Sequence, residues 1–216
     1  MIIIVVYILK NKKGILCIIK VSFYMTTYQN EQRLRAFEKE LKMILNPNIR
    51  KFAEEAIKTF PDYFFEVGAS STSKYHPAYA LGFGGLLRHT QAAVKIAVEL
   101  FRIESYDFTD DEKDLIIVSL ICHDGWKHGT EYAKFTIDVH PLIAGSELSK
   151  NKELRALLPA NQFEFVIGCV EHHMGDFVQS YKTQVEVLER PQNKFQEFVH
   201  LADYLASRKF LEVKFD

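Results

Sequence analysis

The chain has 216 residues, of which 48% are hydrophobic and 25% are charged, a composition typical of a globular protein with one sizeable core. Its formal net charge of -1 removes the long-range positive field on which strong binding to duplex nucleic acid depends. A small anionic ligand held by local cations is the partner that this charge still allows. The cysteines Cys17, Cys122 and Cys169 form no CxxC pair, which favours a reducing, cytoplasmic location.

Residues 2–24 are rich in Ile and Val and need separate treatment. Lysines and a glycine within positions 10–14 divide them into two apolar pieces, each well below the roughly 20 residues of a membrane-spanning helix, so we expect no membrane insertion. Two interpretations stay open: a β-hairpin pairing Ile2–Leu9 with Ile15–Tyr24, or a disordered extension upstream of a natural start at Met25. We favour the second, with an extension over residues 1–24 and a single domain over residues 25–216.

After Thr26 the apolar residues recur at helical spacing, and Pro and Gly fall at the ends of the periodic segments, so the predicted fold class is all-α. The expected helices cover Tyr28–Leu45, Pro47–Phe60, Leu86–Glu104, Asp110–Cys122, Pro141–Lys150, Gln162–His173 and Gln192–Arg208. Thr109 and Glu112 form a capping box in front of the fourth of these. Its stretch 115–122 is apolar on every face, so we expect it to be the central buried helix.

Histidine and aspartate occur on the apolar faces of these helices. His89 shares a face with Leu86 and Ala93, and a single core histidine of this kind is readily explained by a hydrogen bond. The end of the most apolar helix runs directly into His123 and Asp124. A buried carboxylate without a partner costs several kcal/mol or takes up a proton, so a divalent cation is an attractive partner for Asp124.

Two further helices repeat this pattern. His172 and His173 project from two edges of a mostly apolar helix, and Asp203 follows Val199 with no cation one turn away on either side. Each residue alone could be satisfied by a hydrogen bond. Together, neutral imidazoles and carboxylates are the ligands that Zn, Fe, Mn, Ni and Co prefer, so the sequence predicts a transition-metal site.

The order His89, His123-Asp124, Asp203, each on its own helix, resembles the H…HD…D signature of the HD superfamily of metal-dependent phosphohydrolases. The resemblance spans residues 74–209. GGLLRHT at 84–90 looks like the family's GGLxxHT segment, and CHDGWK at 122–127 looks like its HDxxK core. His140-Pro141 and the His172-His173 pair are similar to the additional histidine segments of the two-metal branch. The resemblance therefore implies an all-α HD-domain bundle.

The resemblance also implies a binuclear site for two divalent transition metals, with Mn, Fe, Ni, Co or Zn as candidates. One metal would be held by His89, His123, Asp124 and Asp203, and the other by His140, His172 and His173, with Asp124 bridging. Such a pair activates water for attack on a phosphoester. The expected partner is a small phosphorylated substrate, in particular a nucleotide, and a homo-oligomer is compatible with this.

Several polar residues near these motifs are candidates for contacts with the substrate. Lys127, one turn beyond His123, could stabilise negative charge or protonate the leaving oxygen, or it could equally be a solvated surface lysine. The candidate phosphate contacts are Lys74, His76, Arg88 and His128. Trp126 and Tyr75 could stack on a base, although an aromatic residue near a core more often serves packing.

Two other functions remain open at this point. A branch of the same superfamily uses a nearly identical set of His and Asp residues to hold two irons that activate dioxygen. A non-catalytic sensor that binds a nucleotide and signals through a partner is a third possibility. Lys127 and the neighbouring cations favour phosphate chemistry over the oxygenase, and the complete set of ligands makes the sensor the least favoured of the three.

Overall fold

The computed structural model describes residues 29–72 and 74–211, and all the regular secondary structure in these ranges is helical. The α-helices are α1 (29–36), α2 (Glu38–Met43), α3 (Pro47–Thr59), α4 (Gly85–Leu100), α5 (Asp110–Cys122), α6 (His140–Lys150), α7 (Lys152–Arg155), α8 (Ala160–Glu171) and α9 (Lys194–Ala206). Short 3₁₀ helices occur at Asp62–Phe65, Ala78–Ala80 and Lys209–Leu211. One isolated β-bridge within the described ranges joins Gln179 to Glu186.

The all-α prediction is confirmed. The observed helix ends show which boundaries could be predicted from local sequence signals. Helix α5 has the predicted bounds, and it begins at Asp110 because the Thr109 and Glu112 capping box forms in full. The first predicted helix is interrupted at Phe37, which is fully buried and packs against Phe64. Helix α7 was not predicted. The predicted extension over residues 1–24, with its hairpin alternative, lies outside the described residues.

Helix α5 lies at the centre of the fold, as its uniformly apolar sequence predicts. It packs against α3, α4, α8 and α9, and residues 114–122 are all buried. Burial of apolar surface on every side of α5 stabilises the fold, at roughly 25 cal/mol per Å². Because α5 ends inside the protein, the residues that follow it, His123 and Asp124, are also buried.

Close packing in front of α4 sets the position of that helix. A Cβ atom on Gly85 would lie 2.3 Å from the carbonyl oxygen of Ala80, and Gly84 adopts a positive φ of 67°. The backbone N–H groups of Gly84 and Leu86 donate to the carbonyls of Glu66 and Val67. These contacts fix the first turn of α4, one turn before His89.

Within the described ranges, none of the helices has the length and apolar character needed to cross a membrane.

Candidate metal centre

Five helices bring their histidine and aspartate residues to one point inside the bundle. Helix α4 supplies His89 from its second turn, and the end of α5 supplies His123 and Asp124. Helix α6 begins with His140, and His173 follows the end of α8. Asp203 comes from the last turns of α9. Side chains from distant parts of the chain therefore meet at the end of the central helix.

Two overlapping groups of ligand atoms form this cluster. In the first, the ligand atoms of His89, His123 and Asp203 all lie within 4.8 Å of one another, with His89 Nε2 2.9 Å from Asp203 Oδ1. In the second, those of His123, Asp124 and His173 do so. These are the distances over which several side chains can share one ion.

The two carboxylate oxygens of Asp124 face different imidazoles. Oδ2 lies 3.3 Å from His123 Nε2 and 3.6 Å from His89 Nε2. Oδ1 lies 3.1 Å from His140 Nε2 and 3.8 Å from His173 Nε2, and these two Nε2 atoms are 3.2 Å apart. Asp124 thus stands between two sets of nitrogen ligands.

Backbone carbonyls orient three of these imidazoles. The Nδ1 atoms of His123, His140 and His173 lie 2.6 to 2.8 Å from carbonyl oxygens three residues earlier in the chain. A carbonyl only accepts, so each Nδ1 donates a proton to it and the Nε2 atom of each ring faces the cluster. Metal-binding histidines typically have such a second hydrogen bond.

The cluster contains buried polar atoms that a cation would satisfy. Both ring nitrogens of His89, Nε2 of His123 and Oδ1 of Asp124 are buried and make no hydrogen bond to the described residues. Lone pairs of imidazole and carboxylate facing each other at 3 to 4 Å repel one another unless a proton or a metal lies between them. The residues present therefore fit one or more metal ions, and the buried His/Asp clusters could hold them.

Protons on the imidazoles can partly offset the negative charge of the cluster. Burial disfavours charge on His123, but the carboxylates of Asp124 and Asp203 outweigh it and raise the pKa of His123 to about 10. Burial, together with His123 and His140, lowers the pKa of His173 to about 3. Burial opposes ionisation of Asp124, yet Lys127 and His123 hold its pKa well below the usual range. The cluster thus keeps its carboxylates ionised despite burial.

Lys127 is part of the cluster and not a solvated surface residue. Its Nζ donates to Asp124 Oδ2 at 2.6 Å, and only 12% of its side chain is exposed. A buried charge-assisted contact of this kind is strong. The HDxxK spacing therefore places an ammonium group beside the central carboxylate.

A pocket of about 1160 Å³ opens over this cluster. Lys127, His140, Asp203 and His76 lie in its wall, so the pocket reaches the His/Asp cluster. The pocket wall also contains aromatic, hydroxyl and cationic side chains: Tyr75, Phe135, Phe177, Tyr181, Tyr204, Ser70, Ser71, Thr72, Lys134, Lys182 and Arg208. This volume is above the range of most small-molecule sites, so a ligand larger than a simple phosphate fits.

The structure does not bring His172 to the ligand cluster. Its Nε2 lies 3.5 Å from the exposed carboxylate of Glu189, and its Nδ1 contacts the carbonyl of Gly168. Helix α8 ends at Glu171, and His172 has φ -106° and ψ 10°, so the two histidines leave the helix in different directions. Of the predicted pair, His173 alone faces Asp124.

The predicted substrate contacts separate into two groups. His76 lines the pocket with its ring centroid 5.2 Å from that of His89, and burial lowers its pKa to about 3. Arg88 instead donates to the carbonyls of Tyr79 and Leu81, which holds the loop before α4.

The remaining candidates also lie outside the pocket wall. Lys74 stacks over the ring of Tyr75, which does line the pocket. His128 is buried with its Nδ1 bound to the carbonyl of Ala133. Trp126 is 5% exposed and packs against Phe60, so it belongs to the core.

His200 and Phe177 are among the side chains of the pocket wall that sequence reasoning missed. His200 lies three residues before Asp203 on α9, and the helical spacing from Asp203 could have identified it. Phe177 lies in an irregular segment, where no periodicity points to an exposed aromatic ring.

In the comparisons with known proteins, no family model, no curated protein and no solved structure matches this chain.

Proposed function

We propose that this protein is a metal-dependent phosphohydrolase of the HD type that cleaves a phosphoester of a nucleotide or nucleotide-like substrate. The observation that carries the proposal is the position of Asp124, whose two oxygens face separate groups of imidazoles while Lys127 contacts one of them. This cluster lies at the base of a pocket that is large enough for a nucleotide.

Two divalent transition metals are part of the proposal. The residues that would hold them are His89, His123, Asp124, Asp203, His140 and His173. When bound, they would supply Lewis-acid activation of water and of the phosphoryl oxygens. The fixed Nδ1 hydrogen bonds of His123 and His140 support this assignment, because they orient Nε2 of each ring before any ion arrives.

The cationic side chains of the pocket support phosphate chemistry. Lys127 can donate a hydrogen bond from Nζ to a phosphoryl oxygen or give a proton to the leaving oxygen. Lys134, Lys182 and Arg208 add positive charge to the same wall, whose acidic residues besides Asp203 include Asp138. The wall is thus more positive than the chain as a whole, which has a net charge of -1.

The test is a turnover assay on the purified full-length chain loaded separately with Mn, Ni, Co, Fe or Zn. The panel contains deoxynucleotides, cyclic dinucleotides, alarmones and short RNA. We expect release of phosphate or of a nucleoside phosphate, loss of release in Asp203→Asn, and unchanged release in Asp176→Asn, whose carboxylate is 93% exposed.

Three results would count against the proposal. Oxygen uptake by the iron-loaded protein without phosphatase activity would favour a di-iron oxygenase. Tight nucleotide binding without turnover under every metal would favour a sensor. Full turnover after exhaustive chelation would remove the basis of the assignment.

A further inference from the structure

One face of α9 is directed at the pocket over its last turns. Three of the residues that line the pocket, His200, Asp203 and Tyr204, lie in α9 at the spacing i, i+3 and i+4, and two more, Ser207 and Arg208, follow directly after its end. This spacing defines a single stripe on a helix. Asp203 belongs to the ligand cluster, whereas the rings of His200 and Tyr204 and the guanidinium of Arg208 are in neither group of candidate ligands.

Phe177 faces this stripe from the loop after α8. Its ring centroid lies 6.2 Å from that of Tyr204, with the two planes 15° apart, and 6.5 Å from that of His200. The ring is nevertheless 49% exposed. A large apolar ring left half in water inside a concave wall is an unfilled contact surface, because burying it against a ligand would be favourable.

The backbone around Phe177 is held in place, so the ring is a preformed surface. Val178 is fully buried, and its carbonyl accepts from the N–H of Val187. Ser180 Oγ donates to Asp138 Oδ2 at 2.6 Å, which ties the loop to the segment before α6. A stacking surface fixed before binding loses little conformational entropy when the ligand arrives.

His200 presents a defined hydrogen-bonding atom beside these rings. Its Nδ1 donates to the carbonyl of His173 at 2.8 Å, which leaves Nε2 of the neutral ring as an acceptor. The ring fits closely over Gly175, where a Cβ atom would lie 2.2 Å from His200 Nε2. The imidazole is therefore held in one orientation, and its free acceptor suits a ligand hydroxyl.

Arg208 completes this wall with a positioned cation. Its guanidinium lies 4.3 Å from the centroid of the Tyr204 ring and donates twice to Ser207 Oγ, at 2.8 and 3.0 Å. An arginine stacked on an aromatic ring keeps its remaining donors free for an anionic group.

We propose that Phe177, Tyr204 and His200 form a nucleoside subsite beside the metal cluster, a proposal that rests on the phosphohydrolase function above. The base stacks on Phe177, a sugar hydroxyl donates to His200 Nε2, and the phosphate reaches Lys127 and the cluster. The substrate class is thereby narrowed to phosphoesters that carry both a planar base and a sugar hydroxyl. A sugar phosphate lacks the planar base, and a nucleotide without sugar hydroxyls lacks the hydrogen-bond donor for His200.

The experiment measures equilibrium binding of ligands without a phosphoester, so that turnover does not interfere. Adenosine, 2′,3′-dideoxyadenosine and ribose are titrated into the Mn-loaded protein by calorimetry. We expect adenosine to bind, ribose to bind at least about 10-fold more weakly, and Phe177→Ala to weaken adenosine about 10-fold, as for the loss of one base–aromatic stack. Phe83→Ala is the matched control, since Phe83 is 78% exposed and does not line the pocket.

His200 is tested by a ratio, which a general disturbance of the site would not change. The wild-type protein should prefer adenosine to 2′,3′-dideoxyadenosine by about 10-fold, and His200→Ala should abolish that preference. Retention of the preference in this variant would overturn the role of His200.

The experiments distinguish refutation of the subsite from refutation of the hydrolytic function. If adenosine binds no better than ribose, or Phe177→Ala has no effect, while the loaded protein still cleaves phosphoesters, the subsite is refuted and the hydrolase proposal stands. If adenosine binding shows the expected pattern but no phosphoester is cleaved with any metal, the subsite stands and the hydrolase proposal fails.

Discussion

Two aspartates are buried near opposite ends of α5, Asp114 in its second turn and Asp124 two residues after its end, and their contacts differ. Asp114 is 2% exposed and accepts from the backbone N–H groups of Leu45 and Asn46, at 3.0 and 2.6 Å. Asp124 is 1% exposed, and its contacts are Lys127 and imidazoles. The same residue type with the same burial therefore has a structural role at one end and is a metal-ligand candidate at the other. The partners, and not burial itself, separate the two.

The pKa values of these two carboxyl groups are shifted in opposite directions. Burial raises the pKa of the Asp114 carboxyl, because two neutral N–H donors do not fully replace water. The pKa of Asp124 is held well below its ordinary value by Lys127 and His123 in spite of burial. Burial makes ionisation of Asp114 less favourable than in water, whereas Lys127 and His123 favour the ionised form of Asp124.

The largest expected effect comes from exchanging these acids for amides. Asp124→Asn should lose bound metal and reduce phosphoester cleavage by about 10³-fold or more, because it removes the charge shared by both ligand groups. Asp114→Asn should keep its metal and its activity but lose about 1 to 3 kcal/mol of unfolding free energy, since its amide NH₂ faces a backbone donor. Elemental analysis, turnover and urea unfolding measure these effects. Metal loss in both variants would mean that the two ends do not differ.

A smaller effect is expected when Lys127, the lysine that contacts Asp124, is replaced by methionine. Lys127→Met should lower kcat/KM by about 100-fold while leaving the metal content unchanged, because Nζ contacts Asp124 without being a ligand. Lys113→Met is the matched control, since Lys113 pairs only loosely with the exposed Asp110 at 3.6 Å. A parallel fall in metal content would assign Lys127 to the stability of the cluster and not to the chemistry.

The pH dependence of the unfolding free energy, measured with metal chelated, should reflect the ionisable groups around Asp124. The pKa of His123 is raised to about 10. Its protonation therefore contributes fully to the unfolding free energy below about pH 6.5, and this contribution is lost as the pH rises towards 10. The pKa values of His173 and His76 are lowered to about 3, so the unfolded chain binds protons below about pH 6.5 that the native protein does not.

Stability should therefore peak near neutral pH and fall more steeply on the acid side. The lowered pKa of Asp124 adds a further loss below about pH 4, as its carboxylate becomes protonated. Urea unfolding in EDTA between pH 4 and 9 measures the profile, and Asp114→Asn should leave its shape unchanged near neutrality. A profile that rises towards acid would contradict the arrangement of protons in the cluster.

Much of the site was predictable because it lies on regular helices. The uniformly apolar stretch before His123 predicts a buried helix end, and helical spacing places His89 and Asp203 on inward faces. His140 was different. It is the first residue of α6, where no preceding helical face exists, and the sequence pointed to it only through the family resemblance.

The segment between α8 and α9 shows where periodicity ends. Phe177 lies there, and its exposure and its stacking with Tyr204 depend on long-range contacts such as Ser180 to Asp138. No local spacing encodes these contacts. The pocket wall could therefore be predicted on its α9 side but not on its loop side.

The smallest predicted effect concerns His172, the neighbour of a ligand. Helical spacing alone treats His172 and His173 alike, but α8 ends at Glu171, so the helical rule no longer applies to either side chain. His172→Ala should keep its metal content and change kcat by less than about twofold, with a stability cost of about 1 kcal/mol for the lost contact with Gly168. His173→Ala should lose metal from the group formed with His140 and Asp124, which elemental analysis on both variants would detect. If His172→Ala loses as much metal as His173→Ala, the imidazole of His172 turns into the cluster when metal binds, and the bare cluster understates the ligand set by one residue.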